Sequence, residues 1–252
     1  MHLILGLLIS PFWRLYPYKW LNFDLKILGR ICDSLKKHGV IHCLRYGIKD
    51  LGVTLKLVYN KPPTTMNQLM IELYQKNIFT VSSQVYYSGK HNNSLDMVVF
   101  INGLPLVVMG LKNQFTGQTV EHAMNQFKKE RDPKGQLFTF NEHVTVYFTV
   151  DPDEVFVATE LKKSKTYFLS FNKGNNGGKG NPTIYDNSRT HYLWEEVLRL
   201  DSLLDILFRF AFVKKDDILD SYLLQTKTPA GYPARAQTSI IFYIYQGYSG
   251  SI

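Results

Sequence analysis

The sequence predicts an α/β protein, with a mixed β-sheet core flanked by a few helices. The main observation is three successive runs rich in β-branched and aromatic residues, at 79–87, 95–101 and 104–111, with turn residues between them. An amphipathic segment follows these runs, and strand-like patterns then return. We place the later strands at 136–140, 144–150, 154–159 and 166–171.

The centre of this pattern has the clearest local signals. Asn102-Gly103 lies between two of the runs and predicts a tight hairpin turn, because both residues tolerate the left-handed backbone that such turns require. Thr119 is a suitable N-cap for a helix that continues to Lys129. The apolar residues of that helix fall on one face and are Val120, Ala123, Met124 and Phe127.

Weaker patterns flank the centre. On the amino-terminal side they predict helices over 25–37 and 66–75, the second with Leu69, Met70 and Leu73 pointing inward. A strand is predicted between them at 54–59, and an amphipathic helix or helix pair at 193–212. The predicted regions are a divergent segment 1–29, a core domain 30–171, a loop and helical linker 172–225 and an irregular tail 226–252.

Composition limits the functional classes. The 252 residues are 45% hydrophobic, which is enough to bury a sizeable core. A formal charge of +8 and a pI of 9.3 are compatible with an anionic partner. Cys32 and Cys43 are too few for a disulfide scaffold, so we predict a cytoplasmic location. Every apolar run is shorter than the roughly 20 residues that cross a bilayer, so no membrane partner is predicted.

Three positions on the central hairpin could lie close enough together to form a chemical site. Asp96 begins one strand, and Gly110 and Lys112 lie two residues apart at the end of the next, so the last two share a face. Asp96 lies opposite Gly110 if paired residue numbers sum to 206, and opposite Met109 if they sum to 205. The sequence leaves this register open.

The Gly- and Asn-rich segment 172–182 is predicted to be a connecting loop. A Walker phosphate loop needs Gly-Lys followed by Ser or Thr, whereas Lys179 is followed by Gly180. No ATP-binding motif is therefore identified in this chain.

A resemblance to a known family rests on two stretches, SLDMVVFINGLPLVVMGLKN at 94–113 and TGQTVEHAMNQFKKERDP at 116–133. These stretches resemble the amino-terminal nuclease domain of the restriction (R) subunit of type I restriction enzymes. The similarity continues upstream through LRYGIKDLGVTLKLVYNKP and downstream through YLWEEVLRLDSLLDILFRF, and covers roughly residues 30 to 215. It implies a restriction-endonuclease-like fold and Mg²⁺-dependent hydrolysis of phosphodiester bonds in double-stranded DNA.

By this resemblance Asp96 is a metal-binding carboxylate, Lys112 the catalytic lysine and Gln126 a supporting residue. Glu130 stands where some relatives have Tyr. The family has Glu at the position of Gly110, so one of the two metal-binding carboxylates is missing, and Mg²⁺ binding and cleavage are predicted to be impaired. Glu72 or Glu121 could replace it only if the fold brought one of them to the site.

The resemblance also implies partners. The full R subunit continues into an ATP-driven motor and works with methyltransferase and specificity subunits, so this chain is predicted to be a truncated copy. The alternative function is a non-catalytic DNA-binding or subunit-docking module. Lys128, Lys129 and Arg131, with Lys134 and the lysines at 162–165, form basic runs that either contact phosphates or make an ordinary solvated face.

Overall fold

A six-stranded mixed sheet forms the centre of the protein. The computed structural model describes residues 23–88, 92–113, 117–176, 178–213 and 240–242. The helices are α1 Phe23–His38, α2 Val40–Tyr46, α3 Gln68–Gln75, α4 Val120–Glu130 and α5 Leu200–Asp205, with two π-helical turns, Leu193–Val197 and Ile206–Phe210. The strands are β1 Ile48–Asp50, β2 Val53–Leu55, β3 Phe79–Tyr86, β4 Ser94–Ile101, β5 Leu104–Leu111, β6 Val146–Val150, β7 Val155–Ala158, β8 Leu169–Ser170, β9 Ala211–Val213 and β10 Ile240–Phe242.

The order of the central sheet is β3-β4-β5-β6-β7-β8. All its neighbouring strands are antiparallel except β5 and β6, which are parallel and are connected through α4. A parallel pair requires a crossover connection, and α4 supplies it on one face of the sheet. The sequence therefore predicted the fold class correctly, as an α/β protein with a mixed sheet flanked by helices.

Side chains alternate between two hydrophobic clusters on opposite faces of the sheet. Val99, Val107 and Phe148 belong to the larger cluster, together with residues of α1 and α2. Val98, Val108 and Tyr147 belong to the smaller cluster, which includes Phe127 of α4. This alternation follows from the period of two along a strand. It assigns α4 to the face that carries Val98 and Val108.

The β4–β5 hairpin confirms the predicted turn. Asn102 and Gly103 have φ values of 50° and 80°, and the Asn102 side chain donates a 2.8 Å hydrogen bond to the Leu57 carbonyl and accepts one of 2.6 Å from the Ile78 amide. The α4 prediction is also confirmed, with Val120, Ala123 and Phe127 buried.

The burial of one helix and the strand at 136–140 were predicted wrongly. Helix α3 exists, but it has no buried residue, and Leu69 is 62% exposed, because the helix packs only loosely at the surface. Residues 136–140 form turns instead of a strand, because Gly135 accepts hydrogen bonds from the amides of Phe138 and Thr139 at 2.8 and 3.1 Å. These local turn bonds take the amides that a strand would offer to a neighbour.

The segment predicted to be a linker has a different place in the structure. Leu193, Leu204 and Leu207 are each at most 1% exposed and lie in the same cluster as Leu35 and Val107. Residues up to 211 therefore belong to the core, because their apolar face packs on the sheet and α1. Most of the predicted segment 1–29 and tail 226–252 lies outside the described residues, and 240–242 pair with β9. Among the described helices, none has the length and apolarity to cross a membrane.

Candidate functional site

The register of the hairpin determines where Asp96 lies. Near the site, β4 and β5 pair as Met97–Met109, which matches the sum of 206, and the next position places Asp96 opposite Gly110. At the turn end the pairing changes to Ile101–Leu104, because an irregularity at Val99/Phe100 shifts the register by one residue. Both registers considered from the sequence therefore occur in the hairpin. The register with a sum of 206 applies beside Asp96 and places it opposite Gly110.

Strand β5 and helix α4 position the other two predicted residues. The Lys112 amide donates a 2.9 Å hydrogen bond to the Val150 carbonyl and continues the parallel ladder beyond β5. Its side-chain Nζ donates a 3.2 Å hydrogen bond to Oε1 of Gln126 on α4. Asp96 Oδ2 accepts a 2.9 Å bond from the Leu111 amide. The fold thus brings Asp96, Lys112 and Gln126 together around the end of β5.

Gly110 lies beneath α4, in the middle of this group. A Cβ atom built on Gly110 would be 3.0 Å from Phe127 Cε2 and 3.5 Å from Ala123 Cβ. The φ of Gly110 is outside the left-handed region, so the backbone itself would accept any L-residue. The Phe127 ring therefore crowds the Cβ position of residue 110 and would have to shift by a few tenths of an ångström to admit a side chain there.

Only a small cavity remains beside Gly110. Its volume is about 10 Å³, which is enough for one water molecule. It is lined by Leu95, Asp96, Met109, Gly110, Gln126, Phe127 and Arg131. The Asp96 carboxylate is the one acidic group in this lining, and the Arg131 guanidinium is the one cation.

The three basic residues predicted to bind DNA have unequal exposure. Lys129 is exposed and Lys128 is half-buried, but Arg131 is only 4% exposed. Arg131 donates hydrogen bonds of 2.8 Å to the Tyr87 hydroxyl and to the Ser94 carbonyl. It therefore connects the end of α4 to β4 close to Asp96. Because Arg131 is buried, its guanidinium does not offer the surface contact with phosphate that was expected.

Comparison with known proteins identifies the family. Residues 36–173 match the family described as type I restriction enzyme R protein N terminus. The chain belongs to this family. It is 25% identical over 199 residues to the protein named as the type I restriction enzyme MjaVIIIP endonuclease subunit of Methanocaldococcus jannaschii. It is 30% identical over 101 residues to the protein named as the MjaIXP endonuclease subunit of the same organism.

The chain spans only a small part of the length of these relatives. The first alignment covers 77% of the chain but 18% of the relative, and the second covers 38% of the chain and 10% of the relative. The activity, substrates and partners of the full-length relatives are therefore assigned to this chain only as proposals.

The site of this family member does not fit the expected Mg²⁺. Divalent magnesium requires oxygen ligands in near-octahedral geometry, usually with one or two carboxylates. Among residues 23–88, 92–113, 117–176 and 178–213, no three His, Cys, Asp or Glu side chains are grouped to hold a metal. Neither Glu72 nor Glu121 lines the cavity, and Asp96 is left as a single carboxylate.

A second acidic region lies at the amino-terminal end of α4, outside the predicted site. The buried Asp151 follows β6, and its Oδ2 accepts a 3.2 Å hydrogen bond from the Val120 amide at the first turn of the helix. Burial, followed by the charges of Asp151 and Glu121, raises the pKa of Glu154. Asp151 therefore holds α4 in position. The sequence analysis did not predict this role. The available signal was the Asp-Pro pair directly after a strand, which indicates a turn.

Thr149 lies next to Gly110 in the parallel ladder and is fully buried. Its Oγ1 has no hydrogen-bond partner among the described residues. Thr145 is equally buried, but its Oγ1 donates a 2.8 Å bond to the Leu106 carbonyl. The two threonines therefore form a matched pair, one hydroxyl with a partner and one without.

We expect Thr149→Val to raise the free energy of unfolding by about 1 kcal/mol, because the variant removes a buried hydroxyl that lacks a partner. Thr145→Val, the control, is expected to lower it by about 1 kcal/mol, because the hydroxyl bond to the Leu106 carbonyl is lost and only the bond from the Thr145 amide remains. Urea denaturation measures both changes. Equal destabilisation by the two substitutions would contradict this description of Thr149.

Proposed function

We propose that the chain is an R-subunit nuclease domain that engages double-stranded DNA but hydrolyses phosphodiester bonds poorly, because Gly110 replaces a metal-binding carboxylate. The observation that carries the proposal is the filled space at Gly110, where Phe127 Cε2 lies 3.0 Å from the Cβ position. The positions of two further residues support the proposal. Asp96 lies opposite this glycine, and Lys112 is bound to Gln126.

The remaining side chains retain useful chemistry. The Lys112 ammonium can neutralise negative charge on a phosphate, and the amide of Gln126 holds it at 3.2 Å. Asp96 supplies one carboxylate, fixed by the Leu111 amide. Hydrolysis also needs an activated water, and a single carboxylate with little space beside it supports that step weakly. The alternative function, a non-catalytic DNA-binding or subunit-docking module, is favoured by the same absence of a second ligand.

The partners and cofactors belong to the same proposal. Mg²⁺ is the cofactor that the family implies, with weakened binding here, and ATP is used only by the longer family members. Double-stranded DNA is the proposed substrate. Methyltransferase and specificity subunits are the proposed protein partners, in the cytoplasm.

A plasmid-nicking assay tests the proposal. We expect the unaltered chain to nick supercoiled plasmid slowly or not at all in Mg²⁺ or Mn²⁺, and Gly110→Glu to nick it faster. The control Gly110→Glu/Lys112→Ala is expected to lose the gain, because it keeps the new carboxylate and removes the ammonium next to Gln126.

The other outcomes are equally informative. Rapid nicking by the unaltered chain that disappears in Lys112→Ala would show that cleavage survives without the second carboxylate. Rapid nicking that persists in the control would show that the assigned residues are wrong. No nicking by any of the three proteins would favour the docking module.

A further inference from the structure

A cluster of lysines lies beside α4, on the flank away from Gln126. Phe168 brings the cluster together, because the Nζ of Lys128 on α4 lies 5.9 Å from the centre of the Phe168 ring. The turn that precedes Phe168 carries Lys162, Lys163 and Lys165, all exposed. We call Lys128, Lys162, Lys163 and Lys165 the lysine platform.

The turn of the platform has a defined backbone. The Lys165 amide donates a 3.1 Å bond to the Lys162 carbonyl, and the Thr166 amide donates one of 3.0 Å to the Lys163 carbonyl. The hydroxyl of Thr166, a buried residue, accepts a 2.8 Å bond from the Lys162 amide. Lys163 has a φ of 54°, which is uncommon for a residue other than Gly, Asn or Asp. This conformation costs roughly 1 kcal/mol or more.

The charge of the platform is largely uncompensated. Lys162 pairs with Glu160 at 2.8 Å. Within the part of the chain that the structure describes, Lys128, Lys163 and Lys165 have no carboxylate at ion-pair distance. Such an unpaired group, with Lys163 and Lys165 exposed and Lys128 half-buried, attracts anions over about a Debye length.

The position of the platform suits an extended anion. Lys128 follows Gln126 by two residues, so the two side chains leave α4 on opposite flanks. A helix with its side chains is about 10–12 Å wide, which separates the platform from the Lys112–Gln126 pair. Double-stranded DNA has one charge per roughly 1.7 Å of axis and can contact both places at once.

We infer that the lysine platform binds the backbone phosphates of double-stranded DNA and orients the duplex across α4 toward Asp96 and Lys112. This inference rests on the proposed function and adds to it the surface that holds the substrate. Since the contacts are to phosphates, binding is independent of DNA sequence and of divalent metal.

Fluorescence anisotropy with a labelled duplex of about 30 base pairs tests the inference, with the full 252-residue chain in EDTA over a series of salt concentrations. The test variant is Lys128→Gln/Lys163→Gln/Lys165→Gln. The control is Lys26→Gln/Lys36→Gln/Lys37→Gln, which removes the same charge from exposed positions of α1. Helix α1 packs on the opposite face of the sheet.

We expect the test variant to bind on the order of tenfold more weakly at low salt, and its plot of log affinity against log salt to be shallower by about 2 to 3, as expected for three lost phosphate contacts. The control is expected to retain nearly all of the slope. The triple Lys→Arg variant at the test positions is expected to bind like the unaltered chain.

Three results would overturn the inference. If the slope of log affinity against log salt falls equally in the test and control variants, the effect is one of net charge and the platform is not the binding surface. If the unaltered chain binds and the test variant binds equally well, the inference fails while the proposed function stands. If the unaltered chain does not bind duplex DNA even at low salt, both fail.

Discussion

We expect Gly110→Glu/Phe127→Leu to nick supercoiled plasmid in Mg²⁺ on the order of a hundredfold faster than the unaltered chain, the size of effect that one preorganised charged group has on catalysis. We also expect it to be faster than Gly110→Glu alone. The reason is steric. Phe127 Cε2 lies 3.0 Å from the Cβ position of residue 110, so a glutamate there must displace the ring before its carboxylate can approach Asp96.

The same geometry predicts how the single substitution affects stability. Inserting a side chain into a filled space typically costs about 1–3 kcal/mol, so Gly110→Glu alone is expected to lower the free energy of unfolding by that amount. Phe127→Leu shortens the opposing side chain and relieves part of the clash. The Thr149 hydroxyl, which has no partner among the described residues, lies on the neighbouring strand and offers a donor to the new carboxylate.

Two controls separate charge from shape. Gly110→Gln/Phe127→Leu has the same volume without the anionic ligand, and it is expected to nick as slowly as the unaltered chain. Phe127→Leu alone is expected to be equally slow. If the Gln variant is as fast as the Glu variant, the carboxylate at 110 is not the missing element. If Gly110→Glu alone is as fast as the double variant, Phe127 does not obstruct the site.

Leu204→Ala is expected to lower the free energy of unfolding by about 2–5 kcal/mol, the range for truncating a fully buried leucine. Leu204 lies on α5, is 0% exposed, and belongs to the same hydrophobic cluster as Leu35 and Val107. Urea denaturation followed by far-ultraviolet circular dichroism measures the change. The effect is large only if the carboxyl-terminal helices are part of the domain core.

The matched control is Arg209→Ala, a few residues further along the chain. Its side chain is 62% exposed and forms an i,i+4 ion pair with Asp205, so a loss of less than about 0.5 kcal/mol is expected. Equal, small effects of both substitutions would support the sequence-based interpretation of 172–225 as a linker. A single cooperative transition, shifted only by Leu204→Ala, would support one core that extends to 211.

The sequence was most informative where one local signal determines one structure. The Asn102-Gly103 turn and the α4 pattern fall in this class, because turn chemistry and a helical period of 3.6 act within a few residues. The register beside Asp96 does not. The irregularity at Val99/Phe100 shifts the pairing by one residue, and the local residue pattern does not predict this shift.

The errors have a common physical cause, which is that apolar periodicity does not say what a face packs against. The face of α3 with Leu69 and Met70 has the pattern of a buried helix but remains at the surface. The helical segment near Leu204 has a similar pattern and is fully buried in the core. Only tertiary contacts distinguish the two cases.

The residues of the candidate site could be predicted from the sequence, but the packing of other side chains around them could not. The sequence and its family resemblance predict Asp96, Lys112 and Gln126, and the fold brings these three residues together. The obstruction by Phe127 could not be predicted, because it depends on how closely α4 approaches the sheet. The burial of Arg131 has the same origin, since its partners lie on another part of the chain.

We propose that the site around Asp96 does not bind a divalent metal tightly, because position 110 has no carboxylate and Phe127 crowds the position where a side chain would begin. Isothermal titration with Mn²⁺ tests it most directly, on the unaltered chain and on Gly110→Glu/Phe127→Leu. We predict no saturable binding in the millimolar range for the unaltered chain, and one site per chain for the double variant that is lost on adding Asp96→Asn. Tight, stoichiometric binding by the unaltered chain, abolished by Asp96→Asn, would contradict the account.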